Sequence, residues 1–179
     1  TEIAGFCADM FSTRGDNAAA IGIYDRILEA EPNNQNMRYH KAQALMETGD
    51  YKAAKELFTE LNEAIPFNAS IRNGFSEANR KVMEQYARAL EENPDDFENR
   101  YEYAWCLFQN DGEAKAQEVM DIPAPEDIAQ RCDYENILTK LCQSTGDHEG
   151  CLRHAAIWRG INQKLPHRAT GREKRRQQK

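Results

Sequence analysis

Apolar residues in the first part of the chain recur at intervals of three and four: Ala8 and Phe11, then Ala20, Ile21, Tyr24 and Leu28, then Ala42 and Leu45, then Ala54, Phe58 and Leu61. That period belongs to amphipathic helices, each with one stripe to bury. The stripes are interrupted by Gly15-Asp16 and Gly49-Asp50 and ended by Pro32 and Pro66, each feature returning at one fixed interval. A glycine just past a helix takes positive φ without steric cost, and the aspartate after it caps the next helix. The residue before a proline is pushed out of helical geometry. Each unit therefore predicts two antiparallel helices around a Gly-Asp turn. Ala8 and Ala20, and Ala42 and Ala54, fall where the two helices come closest, and Phe11, Tyr24, Leu45 and Phe58 are expected to fill the space beside them. Asn33-Asn34, Asn68 and Asp95-Asp96 offer caps for the helices that follow each proline.

Beyond residue 68 the pattern loosens. Pro66 to Pro94 falls short of the interval from Pro32 to Pro66, and Ala69 to Glu92 contains no Gly-Asp turn, although Tyr86, Ala89, Leu90 and Pro94 reproduce the end of a unit. Two readings stand: one long helix through Ser76 to Ala89, or a shortened hairpin bent near Gly74. A fourth unit places Tyr103, Ala104, Leu107, Ala116 and Met120 in register with its turn dipeptide reversed, Asp111-Gly112. Pro123 and Pro125 stop its second helix early and make 124–127 a loop before a helix from about Glu126. The fifth returns with Leu138, Cys142, Gly146-Asp147, Cys151, Leu152, Ala155 and Trp158, ending at Pro166. The units fall at about 1–34, 35–68, 69–96, 97–125 and 126–165, with a basic tail at 166–179.

Position for position, this register resembles the tetratricopeptide repeat (TPR) family over roughly residues 1–165. The resemblance implies an all-α, α-α superhelix of about five helical hairpins, the third irregular, and a protein-binding role on a concave face lined by the first helix of each unit. Along that face the positions that matter include Asp9, Tyr39, His40, Glu98, Tyr101, Glu102, Trp105 and Phe108. Rings give large contact area at low entropic cost and carboxylates select charge, so the implied ligand is a protein or peptide segment carrying basic and apolar residues. The aromatic trio on the fourth unit has an equal claim to packing against the neighbouring unit. Co-chaperones of this family that hold Hsp70 and Hsp90 tails use a clamp of Lys, Asn and Arg. The matching positions here are Gly5, Asp9, His40, Ser70 and Gly74, and Asp9 would repel a terminal carboxylate, which argues against those partners. The three-unit layout of type III secretion chaperones does not match either.

Composition changes little in this picture. The 179 residues are 30% charged and 40% apolar with mean hydropathy −0.84, polar for a globule but suited to a one-layer stack. The apolar share argues against disorder for most of the chain, no apolar run is long enough to span a bilayer, and the first twenty residues lack a leader pattern, so a soluble protein is expected. Thr1 in place of Met suggests processing or excision from a longer protein. Five cysteines form an odd set that fits reduced thiols in a cytosol, with a nucleus as the eukaryotic alternative. Residues 166–179 carry net +5, which leaves −12 on the rest.

Chemistry has little support. Cys142, His148, Cys151 and His154 have zinc-ligand identities within one short stretch, yet the register puts both cysteines at packing positions, where a free cysteine acts as a small hydrophobe. Buried thiols are inert as nucleophiles, and no phosphate loop or metalloprotease motif occurs. Neither catalysis nor a cofactor is expected. Arg172, Lys174, Arg175 and Arg176 are candidate phosphate contacts, and they support an alternative nucleic-acid-associated role that truncation after Leu165 would abolish. The cluster is short and lacks stacking aromatics, so a solvated tail is the plainer reading. A third alternative is a regulatory repeat domain of a larger enzyme.

Overall fold

The computed structural model describes residues 2–165, which form nine α-helices and no strand. In chain order they are α1 (Glu2–Thr13), α2 (Asn17–Ala30), α3 (Gln35–Thr48), α4 (Tyr51–Ala64), α5 (Ala69–Glu92), α6 (Phe97–Phe108), α7 (Glu113–Val119), α8 (Ile128–Thr145) and α9 (His148–Asn162). The basic tail lies outside the described residues. Two compact units, 1–85 and 86–179, divide the chain within α5.

The predicted turn chemistry recurs in three hairpins. Gly15, Gly49 and Gly146 take left-handed φ of 83°, 84° and 78°. The following aspartates accept hydrogen bonds from the amides of Ala19, Ala53 and Gly150 at 3.2, 3.2 and 2.9 Å. Each cap satisfies an amide that a helix start leaves unpaired. Asn34, Asn68 and Asp96 cap α3, α5 and α6 in the same way, and Asp127 caps α8. Glu31 and Ile65, the residues before Pro32 and Pro66, leave helical geometry with ψ of 71° and 73°.

In the first unit, α1 and α2 close on Ala8 and Ala20, both fully buried, while Tyr24 and Ile27 meet Met37 and Ala44 of α3. The next cluster joins Ala42 and Leu45 of α3, Ala54, Phe58 and Leu61 of α4, and Ile71 and Ala78 of α5. The small-residue seams are thus as expected. Phe11 is not, since it is 40% exposed rather than core. No described helix precedes α1 to cover it.

The third unit is a single helix rather than an irregular hairpin. α5 runs unbroken for 24 residues through Gly74. That glycine marks a close approach instead of a bend: a Cβ there would stand 2.4 Å from Cζ of the buried Phe58 ring.

The second unit has its own core of Phe97 and Ala104 from α6, Ala116 from α7, Met120, and Tyr134, Ile137 and Leu141 from α8. α7 has only seven residues, and the loop from 120 to 127 carries the two prolines. With the turn dipeptide reversed, Asp111 itself takes φ 57° and Gly112, at the cap position, supplies no side-chain hydrogen bond. Cys142 and Cys151, expected as core packing, are half-buried. α9 has no described helix beyond it, so among the described residues its seam with α8 is covered on one side only.

Candidate functional site

The candidate residues fall into one set in each unit. In the first, Asp9 on α1 accepts a 2.7 Å hydrogen bond from the Tyr24 hydroxyl and faces Nδ1 of His40 at 3.7 Å. His40 stacks on Tyr24 with ring centroids 6.2 Å apart, and Tyr39 meets both His40 and Phe58 edge-on at 5.9 and 6.1 Å. Burial, and then the hydrogen bond and charge of Asp9, push the Tyr24 phenol far above its ordinary range. Asp9 and His40 therefore meet at Tyr24, which knits α1, α2 and α3 together, and Tyr39 joins the set through His40.

In the second unit the rings of Phe97, Tyr101, Trp105 and Phe108 follow one another along α6. Their centroids are 6.3, 6.3 and 5.7 Å apart, the first two pairs stacked and the last tilted. The spacing of four, four and three residues is what puts successive side chains on one face of a helix. Phe97 is buried, whereas Tyr101, Trp105 and Phe108 are half-buried, packed on one side against the cluster that α6 shares with α7 and α8. The ladder serves as core and as surface together. Burial raises the Tyr101 phenol to about 12, the charge of Asp133 adds to this, and a side-chain hydrogen bond with Asn136 pulls the other way. Glu98 and Glu102 are exposed on the same helix. The result is an aromatic surface bordered by carboxylates.

The thiols and histidines near the last turn do not assemble. His154 turns to Glu135, its Nδ1 2.6 Å from Oε2, and among the described residues no group of three or more potential ligands is placed to hold a metal ion. Burial first, then the charge and hydrogen bond of Asp147, raise the Cys142 thiol above its usual range, which makes it a poorer nucleophile. Arg172, Lys174, Arg175 and Arg176 lie outside the described residues.

Sequence reasoning missed the Glu135 cluster. This carboxylate is 1% exposed, held by Arg131 Nε at 2.7 Å on its own helix and by His154 from α9. The i,i+4 spacing of Arg131 and Glu135 is the one local signal, and it reads equally well as a solvated surface pair. The contact with His154 depends on how α8 and α9 pack, which no spacing reveals. A lone buried carboxylate would cost several kcal/mol, so the two partners let α8 and α9 hold Glu135 where the α1–α2 hairpin carries Ala4 and Ile23 at the equivalent positions.

No helix among the described residues is long and apolar enough to cross a membrane. Residues 13–73, from the end of α1 to the first turns of α5, match the sequence profile of the tetratricopeptide repeat family. No curated protein matches the sequence. Similar solved structures include YrrB, a TPR protein with an unusual peptide-binding site, at 19% identity and TM-score 0.44, covering 86% of this chain and 82% of that one. MamA is similar at 17% identity and TM-score 0.43, covering 88% of this chain and 95% of that one. A tetratricopeptide repeat protein from Parabacteroides merdae is similar at 15% identity and TM-score 0.42, covering 89% and 64%. At these identities the likeness concerns the fold alone. The match to the tetratricopeptide repeat family thus spans residues 13–73, where the two hairpins of α1 to α4 repeat one turn register.

Proposed function

We propose that this repeat module is a non-catalytic adaptor that grips a segment of a partner protein on the first helices of its hairpins, with α6 as the main contact. The carrying observation is the ladder of Tyr101, Trp105 and Phe108, three successive half-buried rings on one helix face with Glu98 and Glu102 exposed beside them. Rings fixed by their neighbours lose little entropy when a ligand covers them, and their remaining apolar area gains from losing water. The carboxylates favour basic residues in that ligand and speed its approach. A segment alternating basic and apolar residues fits both. Asp9, Tyr39 and His40 support the reading less directly, because Asp9 is already engaged by Tyr24 and His40, and Tyr39 lies edge-on to His40 and Phe58.

The test is fluorescence anisotropy with a labelled peptide of alternating arginine and leucine and a matched peptide of glutamate and leucine. The basic peptide binds and the acidic one does not. Trp105→Ala and Phe108→Ala each raise Kd about tenfold, a typical loss for a truncated aromatic anchor. Equal binding of both peptides, or unaltered binding by Trp105→Ala with helicity intact, would sink the proposal.

A further inference from the structure

We infer that the edge where α6 meets α8 is a subsite for one arginine side chain of the ligand, with Tyr101 and Trp105 as its aromatic floor and Asp133 as its counter-charge. This rests on the reading of α6 as a contact surface and adds the residue type that the ligand must carry. α6 and α8 belong to the same compact unit, and α8 supplies the second wall. Tyr134, Ile137 and Leu141 are its buried stripe, at 9% exposure or less, and they share a cluster with Phe97 and Ala104 against which Tyr101, Trp105 and Phe108 pack. Asp133, Asn136 and Lys140 each stand one residue before a member of that stripe, so they line one edge of it. This edge is the one that meets the ladder, because the Asn136 side chain shares a hydrogen bond with the Tyr101 phenol and the charge of Asp133 bears on the same group. Asp133 and Asn136 are half-buried, and Lys140 is exposed.

The rings suit a planar cation. Near-parallel rings with centroids 6.3 Å apart, as in Tyr101 and Trp105, are either slid past one another or held wider than carbon contact, and in both cases part of each face stays open. A guanidinium stacks on such a face and keeps its N–H donors, which lie in its own plane, for a carboxylate at the side. The ammonium of lysine is a compact, strongly hydrated point charge that gains less from the ring and cannot pair as a fork. The position of the carboxylate sharpens the choice. Glu98 and Glu102 are exposed, where water and salt screen them, so they draw any cation. Asp133 is half-buried beside an aromatic ring, where a bidentate pair is worth more. Asn136 fixes the Tyr101 ring at its hydroxyl end, so the floor stands in place before the ligand arrives. Lys140 follows on the same edge about two turns further on and repels a second cation, which confines the arginine to the Asp133 end.

Fluorescence anisotropy with the 179-residue chain compares the labelled arginine–leucine peptide with a lysine–leucine peptide of equal length and charge. The parent chain binds the arginine peptide about tenfold more tightly. Asp133→Asn, which keeps the size and shape of the side chain, raises the Kd of the arginine peptide about tenfold and leaves the lysine peptide within about twofold, so the preference is lost. Glu98→Gln weakens both peptides alike. Far-ultraviolet circular dichroism checks that each variant keeps the parent's helices, and the comparison of the two peptides on the parent chain needs no variant. Equal affinity of the parent for the two peptides overturns the arginine subsite while leaving the adaptor reading standing, and so does a preference that survives Asp133→Asn. Failure of both peptides to bind removes the adaptor reading and the subsite together.

Discussion

Gly74 shows how far one missing methyl group reaches. In the middle of a helix, glycine gives up about 1 kcal/mol relative to alanine, and α5 accepts that cost because the Phe58 ring occupies the space where a Cβ would stand. Phe58 is 2% exposed, walled in by α3, α4 and α5, so its ring has no room to retreat. Gly74→Ala is expected to destabilise the protein by a net of about 1–2 kcal/mol, overpacking outweighing the gain in helix propensity, as read from urea unfolding. Combining it with Phe58→Leu recovers most of that loss. A stabilised Gly74→Ala variant would mean that the ring is free to move. The sequence showed a glycine in a helical stretch but not which of its two uses applied, because the deciding neighbour lies on the preceding helix, far off in the chain. The same limit hid the shared contact of Asp9 and His40 with Tyr24, which no spacing along the chain reveals.

At the scale of elements, caps and turns were readable because they are local. Gly15-Asp16, Gly49-Asp50 and Gly146-Asp147 set three hairpins with the same bond, the aspartate amide donating to the carbonyl five residues back at 2.9, 3.0 and 2.9 Å. The reversed pair makes that bond too, Gly112 donating to Leu107 at 2.9 Å, so the turn has the same path with its residues in the wrong seats. Asp111 then bears the left-handed φ of 57° that glycine would take freely, and Gly112 leaves α7 without a side-chain cap. Exchanging them, Asp111→Gly with Gly112→Asp, is expected to raise stability by about 1–2 kcal/mol, from a relieved backbone and a restored cap. Thermal unfolding reads this as a higher Tm. A lower Tm would mean that the Cβ at 112, 3.0 Å from the Leu107 carbonyl oxygen, is not tolerated in this turn. What could not be read was the fate of the shortened third unit. Without a Gly-Asp turn both a bent hairpin and a straight helix fitted the spacing, and the packing of Ile71 and Ala78 onto Phe58 and Leu61 favours the straight form.

Over the whole chain, the regular repeat carried the fold because each unit touches only its neighbours, so a rule seen twice extends along the stack. It carried the site less well, since the α6 ladder is half core and half surface, and only the packing of α8 shows how much ring is left open. The nearest-neighbour rule also fixes where stability should be lowest in the first unit. The hairpin of α3 and α4 is clasped by α2 on one side and α5 on the other, whereas among the described helices that of α1 and α2 has α3 alone. Local opening follows such differences in buried contact. Amide hydrogen exchange at low protein concentration should therefore show α1 at least tenfold less protected than α3, a gap of about 1.4 kcal/mol in opening free energy. Equal protection of α1 and α3 in the dilute sample would mean that the exposed Ile3, Phe6 and Met10 carry no penalty, and that stacking on a preceding repeat adds nothing to the stability of a first helix.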